Sequence, residues 1–114
     1  MNPAALDQLR SRLLDQKAEL LASQRAAQEN VKPVELDQAA VGRVSRIDAM
    51  QMQQMSLEAS RRRERSLAMI GAAMRRIDEG TYGICVDCGE AIDARRLDVD
   101  LTAARCVRCA EKQV

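Results

Sequence analysis

The chain of 114 residues has room for one small domain, or for one domain with an extended element. Its net charge of +1 does not mark a protein that coats nucleic acid, the lack of histidine removes the commonest general base, and no apolar run approaches the roughly 20 residues of a membrane span. With one tyrosine, no tryptophan or phenylalanine and 31% charged residues, the composition favours long helices over a compact aromatic core.

The first predicted element is an amphipathic helix over residues 1–30, in which Asn2 and Pro3 suit the N-cap and the first helical position. Its apolar stripe comprises Leu6, Leu9, Leu13, Leu20 and Ala27 and is widened by Leu14 and Leu21. The stripe predicts a face that packs on another helix. The segment 29–35 then breaks the helix, because Pro33 disfavours helix at the residue before it and lacks an N–H donor.

Residues 37–79 predict a second, longer helix, since no proline interrupts them. Its stripe comprises Val41, Val44, Ile47, Met52, Met55, Ala59, Leu67, Ile70, Met74 and Ile77, and Gly80 suits the position just past its end. The two helices predict an antiparallel hairpin over residues 1–80 with its tip near 31–48. We expect the last turns of the second helix to pack on a C-terminal module, residues 81–114, which ends in a short helix.

Two groups on the second helix suggest either packing or contact with a partner. Met50, Met52 and Met55 are expected mainly to fill the helical core, with a plastic contact surface as the alternative. A basic run is either a solvated face balanced by neighbouring glutamates or a docking site for an acidic surface. The run consists of Arg61, Arg62, Arg63 and Arg65.

The tip of the hairpin carries four charged candidates, Asp37, Arg43, Arg46 and Asp48. They are either ordinary helix-end and surface charges, or groups that the hairpin carries to a buried site in a partner. The hairpin would be about 40 Å long, and such a length favours the second interpretation because it places the tip far from the base.

All four cysteines lie in the C-terminal module, as the pairs Cys85-x-x-Cys88 and Cys106-x-x-Cys109. Each pair turns two sulfur atoms toward one point, and the intervening residues 89–105 are long enough to bring the pairs together. This spacing predicts a closed, structural zinc site with four thiolate ligands. Gly89 suits a positive φ beside Cys88.

Three alternatives use the same cysteines. Two disulfides need an oxidising compartment, whereas residues 1–11 lack the apolar stretch of a signal peptide, so we expect a cytoplasmic protein. An iron or iron–sulfur centre also uses four thiolates but usually lies among more apolar residues. A redox C-x-x-C pair would not need a second pair and is typical of a βαβ pattern, which is absent here.

The zinc segment resembles the DksA/TraR zinc-finger proteins of bacteria. The matching pattern is Y-G-x-C-x-x-C-G-x-x-I-x-x-x-R-L followed by T-x-x-x-C-x-x-C, carried by Tyr82, Gly83, Cys85, Cys88, Gly89, Ile92, Arg96, Leu97, Thr102, Cys106 and Cys109. The resemblance covers residues 37–112 well, and the first helix matches in type.

The resemblance implies a transcription regulator that binds RNA polymerase rather than DNA. The hairpin would enter the secondary channel, with Asp48 near the active site and a set of arginines against the channel rim, namely Arg61, Arg62, Arg63, Arg65, Arg95 and Arg96. Such factors change promoter-complex stability, in part with guanosine tetraphosphate at the polymerase interface.

The chain departs from the family pattern in two places. The acidic tip motif D-x-x-D-x-A is replaced by GRVSRIDAM, in which Asp48 is the single aspartate and Ala49 follows it. The R-P-T segment near the second cysteine pair reads Asp100-Leu101-Thr102.

The alternative function is a zinc-dependent nucleic-acid-binding module, in which arginines around the metal would meet phosphates. The candidates are Arg95, Arg96, Arg105 and Arg108. The chain offers no aromatic platform for base stacking, and the arginines also offset the negative charge of the thiolates. An enzyme is not expected, because a closed metal site and the lack of a glycine-rich phosphate loop leave no catalytic apparatus.

Overall fold

The computed structural model describes residues 2–30 and 43–112 of the chain. These ranges contain four helices, α1 (Pro3–Asn30), α2 (Arg43–Glu79), α3 (Ala94–Val99) and α4 (Val107–Glu111). α1 packs against α2 as the predicted hairpin, and the described part measures 63 × 30 × 20 Å. The mainly helical fold is therefore confirmed. None of the helices in these ranges is long and apolar enough to cross a membrane.

The hairpin helices begin and end at the capping residues that the sequence predicts. The Asn2 side chain accepts a hydrogen bond from the amide of Ala4 at 3.0 Å and so caps α1 as predicted. α2 ends at Glu79 and is followed by Gly80, which has a φ of 79°. The amides of Gly80 and Thr81 donate to the carbonyls of Ile77 and Arg76 at 3.2 and 2.8 Å, and together they form a Schellman motif.

One apolar core joins the base of the hairpin to the C-terminal module. Its buried residues are Leu13, Ile70, Ala73, Ile77, Tyr82, Cys85, Ile92, Leu97, Leu101, Ala103 and Cys109. The expectation that the last turns of α2 pack on the module is confirmed, and α1 joins the same cluster through Leu13. The boundary between residues 80 and 81 stays a prediction, since the core draws on both sides of it.

The prediction that Met50, Met52 and Met55 fill a core is wrong. Their exposed fractions are 62%, 71% and 68%, and every side chain from residue 50 to residue 58 is exposed. Helical spacing identifies a face but not a partner for it. In the described ranges the buried side chains of the hairpin lie nearer its base, and none of them comes from residues 50–58.

Two further apolar residues of the predicted stripes are exposed. Leu14 on α1 and Ile47 near the start of α2 each expose about half of their surface, at 46% and 52%. The side chains of the stripe that are buried lie toward the base, where the module covers them. Val41 and the first residues of the predicted second helix lie outside the described ranges.

Candidate metal centre and partner-binding surfaces

The four cysteines converge on one point. Their Sγ atoms all lie within 4.8 Å of one another, and those of Cys88 and Cys106 are 3.8 Å apart. Four sulfurs at about 2.3 Å from one zinc ion would stand roughly 3.8 Å apart, so the cluster fits a tetrahedral zinc site. The same distance is too long for a disulfide of about 2.05 Å, and all four cysteines are free.

Backbone hydrogen bonds hold the first knuckle, the turn that carries Cys85 and Cys88. The Cys85 amide donates to the Glu90 carbonyl at 2.8 Å, and the Gly89 amide donates to the Cys85 carbonyl at 3.0 Å. Gly89 has a φ of 74°, as its position after Cys88 predicts. An antiparallel bridge between Ile84 and Ala91 closes the base of the knuckle.

The second knuckle is the start of a helix. Cys106 is the N-cap of α4, and Cys109 lies within that helix and is buried. The Val86 amide donates to the Ala104 carbonyl at 2.9 Å, which ties the first knuckle to the approach of the second. A backbone hydrogen bond therefore holds the two cysteine pairs together, and a bound zinc ion would link them further.

The thiols differ in acidity because their hydrogen bonds differ. Amide hydrogen bonds, first from Cys88 and then from Cys106, lower the pKa of Cys85 to about 6. Hydrogen bonding with the Cys106 thiol, followed by burial, raises the pKa of Cys109 to about 12. A divalent cation bound by the four sulfurs would favour the thiolate form, because metal ligation requires deprotonated cysteine.

The arginines near the cysteines are largely engaged within the module. Arg105 Nε donates to Asp87 Oδ2 at 2.7 Å, and Arg96 Nε donates to the Arg105 carbonyl at 3.1 Å. Arg95 pairs with Asp93 at 3.2 Å, and its side-chain and backbone hydrogen bonds lower the pKa of that N-cap carboxyl. These bonds occupy part of the donor groups of Arg96 and Arg105, whereas Arg95 keeps a side chain that is 92% exposed and Arg108 is exposed.

The predicted tip residues are only partly described. Asp37 lies outside the described ranges, and Arg43 is the first residue of α2. Arg46 and Asp48 are exposed on the first turns of α2. The structure therefore places Asp48 near the end of α2 that is remote from Gly80 and the cysteines.

The basic run of α2 is divided by the helix. Arg61, Arg62 and Arg65 are exposed and, with Glu58, line a shallow cleft of about 310 Å³. In the described part of the chain none of these three arginines forms an ion pair. Arg63 is half-buried, with its Nε buried and lacking a hydrogen-bond partner there. Three of the four arginines thus form an exposed basic surface.

Several supporting contacts have no signal in the sequence. The Tyr82 hydroxyl donates to the Leu101 carbonyl at 2.7 Å inside the core. Asp100 Oδ1 accepts from the Thr102 amide and hydroxyl at 3.2 and 3.1 Å. The tyrosine and threonine are part of the pattern noted above, but their partners depend on the folded loop.

Comparison with known proteins supports the same fold and metal centre. Residues 80–114 match the model of the prokaryotic dksA/traR C4-type zinc finger. The chain is 27% identical over 112 residues to the RNA polymerase-binding transcription factor DksA of Caulobacter vibrioides, across 98% of this chain and 78% of that protein. The corresponding factor of Haemophilus influenzae is 40% identical over 74 residues, across 58% of this chain and 51% of that one.

A solved structure extends the likeness beyond the zinc segment. The transcription factor DksA2 from Pseudomonas aeruginosa matches with a TM-score of 0.82 and 28% identity, across 98% of this chain and 84% of that chain. The fold and the site thus define a helical hairpin on a four-cysteine zinc module. Residues 80–114 carry the dksA/traR C4-type zinc finger, the chain as a whole resembles DksA proteins in sequence and fold, and its cofactor is one structural zinc ion.

Proposed function

We propose that this protein is an RNA polymerase-binding transcription factor that acts through the secondary channel and has no catalysis of its own. The observation that carries the proposal is the likeness to DksA2 over 98% of the chain. The relative from Caulobacter vibrioides is described as RNA polymerase-binding, which supports the same partner here. A partner of this kind implies a cytoplasmic protein.

Two parts of the chain have different roles in the proposed function. Residues 1–80 act as the hairpin with its tip near 31–48, and residues 81–114 act as the module that rests on the channel rim. The 63 Å extent of the described part and the core at the hairpin base support this division. Zinc, when bound, supplies folding free energy to the module, and the core residues transmit its orientation to α1 and α2.

The functional group at the tip is proposed to be Asp48. Its carboxylate is exposed on the first turns of α2, so it is available to a partner rather than engaged in the core. Inside the channel it would come close to the polymerase active site and change the lifetime of promoter complexes. Asp37, Arg43 and Arg46 are proposed to shape the same tip.

Docking is proposed to depend on the exposed arginines. Arg61, Arg62 and Arg65 present positive charge from one side of α2 and suit an acidic surface. Arg63, Arg95 and Arg96 belong to the same proposed set; the contacts of Arg95 with Asp93 and of Arg96 with the Arg105 carbonyl make these two supports of the docking surface. Such charges raise the association rate and make it dependent on salt.

The resemblance also implies that guanosine tetraphosphate is a co-regulator at the polymerase interface, and we include this in the proposal. Its contribution is measured by adding it to the promoter-complex assay below. A larger effect of the protein in its presence supports co-regulation, and an equal effect argues against it.

The test compares zinc-loaded wild type with Asp48→Asn and, as a matched control, Asp7→Asn, which alters an exposed aspartate at the other end of the molecule. We expect all three to bind RNA polymerase with dissociation constants within about twofold, since the tip adds little docking area. Wild type and Asp7→Asn should change promoter-complex lifetime, and Asp48→Asn should lose most of that effect. Polymerase binding absent from zinc-loaded wild type would show the proposed function to be wrong.

A further inference from the structure

A second cleft, of about 400 Å³, opens where the hairpin meets the zinc module. It is lined by Gln16, Leu20, Ser66, Met69, Ile70, Asp100 and Thr102. Its volume lies in the range of roughly 300–1,000 Å³ that ligand sites occupy. The metal ligands, the tip and the exposed arginines are all outside this lining, so the functions described so far do not use it.

The cleft combines an apolar floor with one carboxylate. Ile70 is buried, Leu20 is partly buried against the core, and Met69 exposes about half of its surface, at 48%. Asp100 is exposed, and the Thr102 amide and hydroxyl hold its Oδ1 in place. The negative charge is thereby fixed at the wall of the cleft.

That charge has no ion-pair partner in the described part of the chain. No lysine or arginine nitrogen there lies within 4.0 Å of the Asp100 carboxylate. Arg76, which approaches the same loop, donates its Nη2 to the Thr102 carbonyl at 3.3 Å instead. A carboxylate at the wall of an apolar cleft favours a cationic partner, because covering it without one leaves a desolvated charge.

We propose that this cleft receives a lysine or arginine side chain of a partner protein. The aliphatic stem would lie on Leu20, Met69 and Ile70, and the charged head would meet Asp100. A phosphate group would be repelled by the carboxylate, and a wholly apolar side chain would leave it unpaired. The chemistry of the cleft therefore selects a basic side chain over nucleic acid or an apolar anchor.

The cleft lies next to the basic surface on α2. Met69 follows Arg65 by four residues and Arg62 by seven, so the three share one side of the helix. The partner should present acidic groups opposite the arginines and a basic group opposite Asp100. Two adjacent patches of opposite sign fix the register of docking better than one patch does.

The identity of the partner as RNA polymerase rests on the proposed function. The first measurement is the affinity of zinc-loaded wild type, Asp100→Asn and Asp7→Asn for RNA polymerase. Asparagine keeps an oxygen that accepts from Thr102 but removes the charge. We expect Asp100→Asn to bind about tenfold more weakly, with Asp7→Asn unchanged. If wild type binds and Asp100→Asn stays within twofold of it, the cleft proposal is overturned while the proposed function stands.

The second measurement needs no polymerase and decides the matter if wild type fails to bind it. N-acetyl-arginine methylamide is titrated into labelled, zinc-loaded protein and followed by amide NMR shifts, beside the uncharged citrulline analogue. Saturable shifts at Met69, Asp100 and Thr102 with the arginine compound alone, lost in Asp100→Asn, support the cleft. Equal shifts with both compounds, or none with either, overturn it.

Discussion

Arg12 and Asp98, which are 86 residues apart in the sequence, join α1 to the zinc module. Arg12 Nη1 donates to Asp98 Oδ1 at 2.8 Å, and its Nη2 donates to the Asp98 carbonyl at 3.0 Å. A second pair, Arg10 with Asp78 at 2.7 Å, joins α1 to the end of α2. Together with buried Leu13, these contacts set the direction in which the hairpin leaves the module.

Replacing Arg12 by alanine should loosen this joint by a modest amount. The pair is partly exposed, with 46% of the Arg12 side chain and 74% of the Asp98 side chain accessible, so solvent screens it. We expect the free energy of unfolding to fall by about 0.5–1 kcal/mol. Urea unfolding of zinc-loaded protein measures the change.

Arg25→Ala is the matched control, because Arg25 is exposed on the same helix and forms no ion pair in the described ranges. It should leave stability nearly unchanged. Equal unfolding curves for the two variants would mean that the Arg12–Asp98 contact does not stabilise the joint between the hairpin and the module.

Gly71 inside α2 and Gly80 just past its end should respond to alanine in opposite directions. Gly80 has a φ of 79° and open space where a Cβ would stand, so Gly80→Ala costs conformational energy alone, roughly 1 kcal/mol. Gly71 lies inside the helix, and its added Cβ would meet Arg75 Nη1 at an ordinary 3.8 Å. Gly71→Ala should therefore stabilise by about 0.5–1 kcal/mol. Thermal unfolding of both variants tests the Schellman ending; a stabilising Gly80→Ala would contradict it.

Tyr82 should titrate above the ordinary range of tyrosine. Burial raises its pKa against the opposing charges of Arg76 and Arg12, with Asp100 adding to the rise. Because the folded pKa is raised, the stabilisation is complete below the unfolded value of about 10 and is lost as pH rises through the folded value. Tyr82 is the only tyrosine and the chain has no tryptophan, so phenolate absorbance reports on this group alone.

A zinc chelator provides the control for that titration. Removing the metal should unfold the module and return the midpoint of the phenolate signal to about 10. A midpoint that is the same with and without zinc would mean that Tyr82 is not buried in a metal-dependent core.

Reversing the charge of Arg62 should weaken polymerase binding more strongly at low salt than at high salt. Arg62 is exposed in the basic cleft on α2, so its contribution is electrostatic and screened by ions. We expect Arg62→Glu to lose affinity by on the order of tenfold at low ionic strength. Arg25→Glu makes the same charge change on α1 and should have a smaller effect; equal losses would indicate a net-charge effect rather than a docking site.

Much of the fold and the metal centre could be predicted because the signals are local. The spacing of Cys85, Cys88, Cys106 and Cys109 predicts the cluster, and the residues Asn2 and Gly80 mark helix ends that the structure confirms. Each of these depends on a few neighbouring residues and on backbone geometry that tolerates few alternatives.

The remainder depends on contacts that the sequence does not encode locally. Met52 has the spacing of a core residue but is exposed, because periodicity does not show whether a partner helix offers a covering side chain. Arg12 and Asp98 meet only after the chain folds back on itself. The cleft between the hairpin and the zinc module forms only when Asp100, Leu20 and Met69, from three separate segments, come together.

The most direct test of the account locates the two ends of the molecule on RNA polymerase. A photocrosslinking amino acid replaces Asp48 at the proposed tip, or Val99 at the base, a residue that is 88% exposed. We expect position 48 to crosslink to segments that line the secondary channel near the active site, and position 99 to crosslink to the channel rim. Crosslinks from position 48 to the outer surface of polymerase, or to segments remote from the channel, would contradict it.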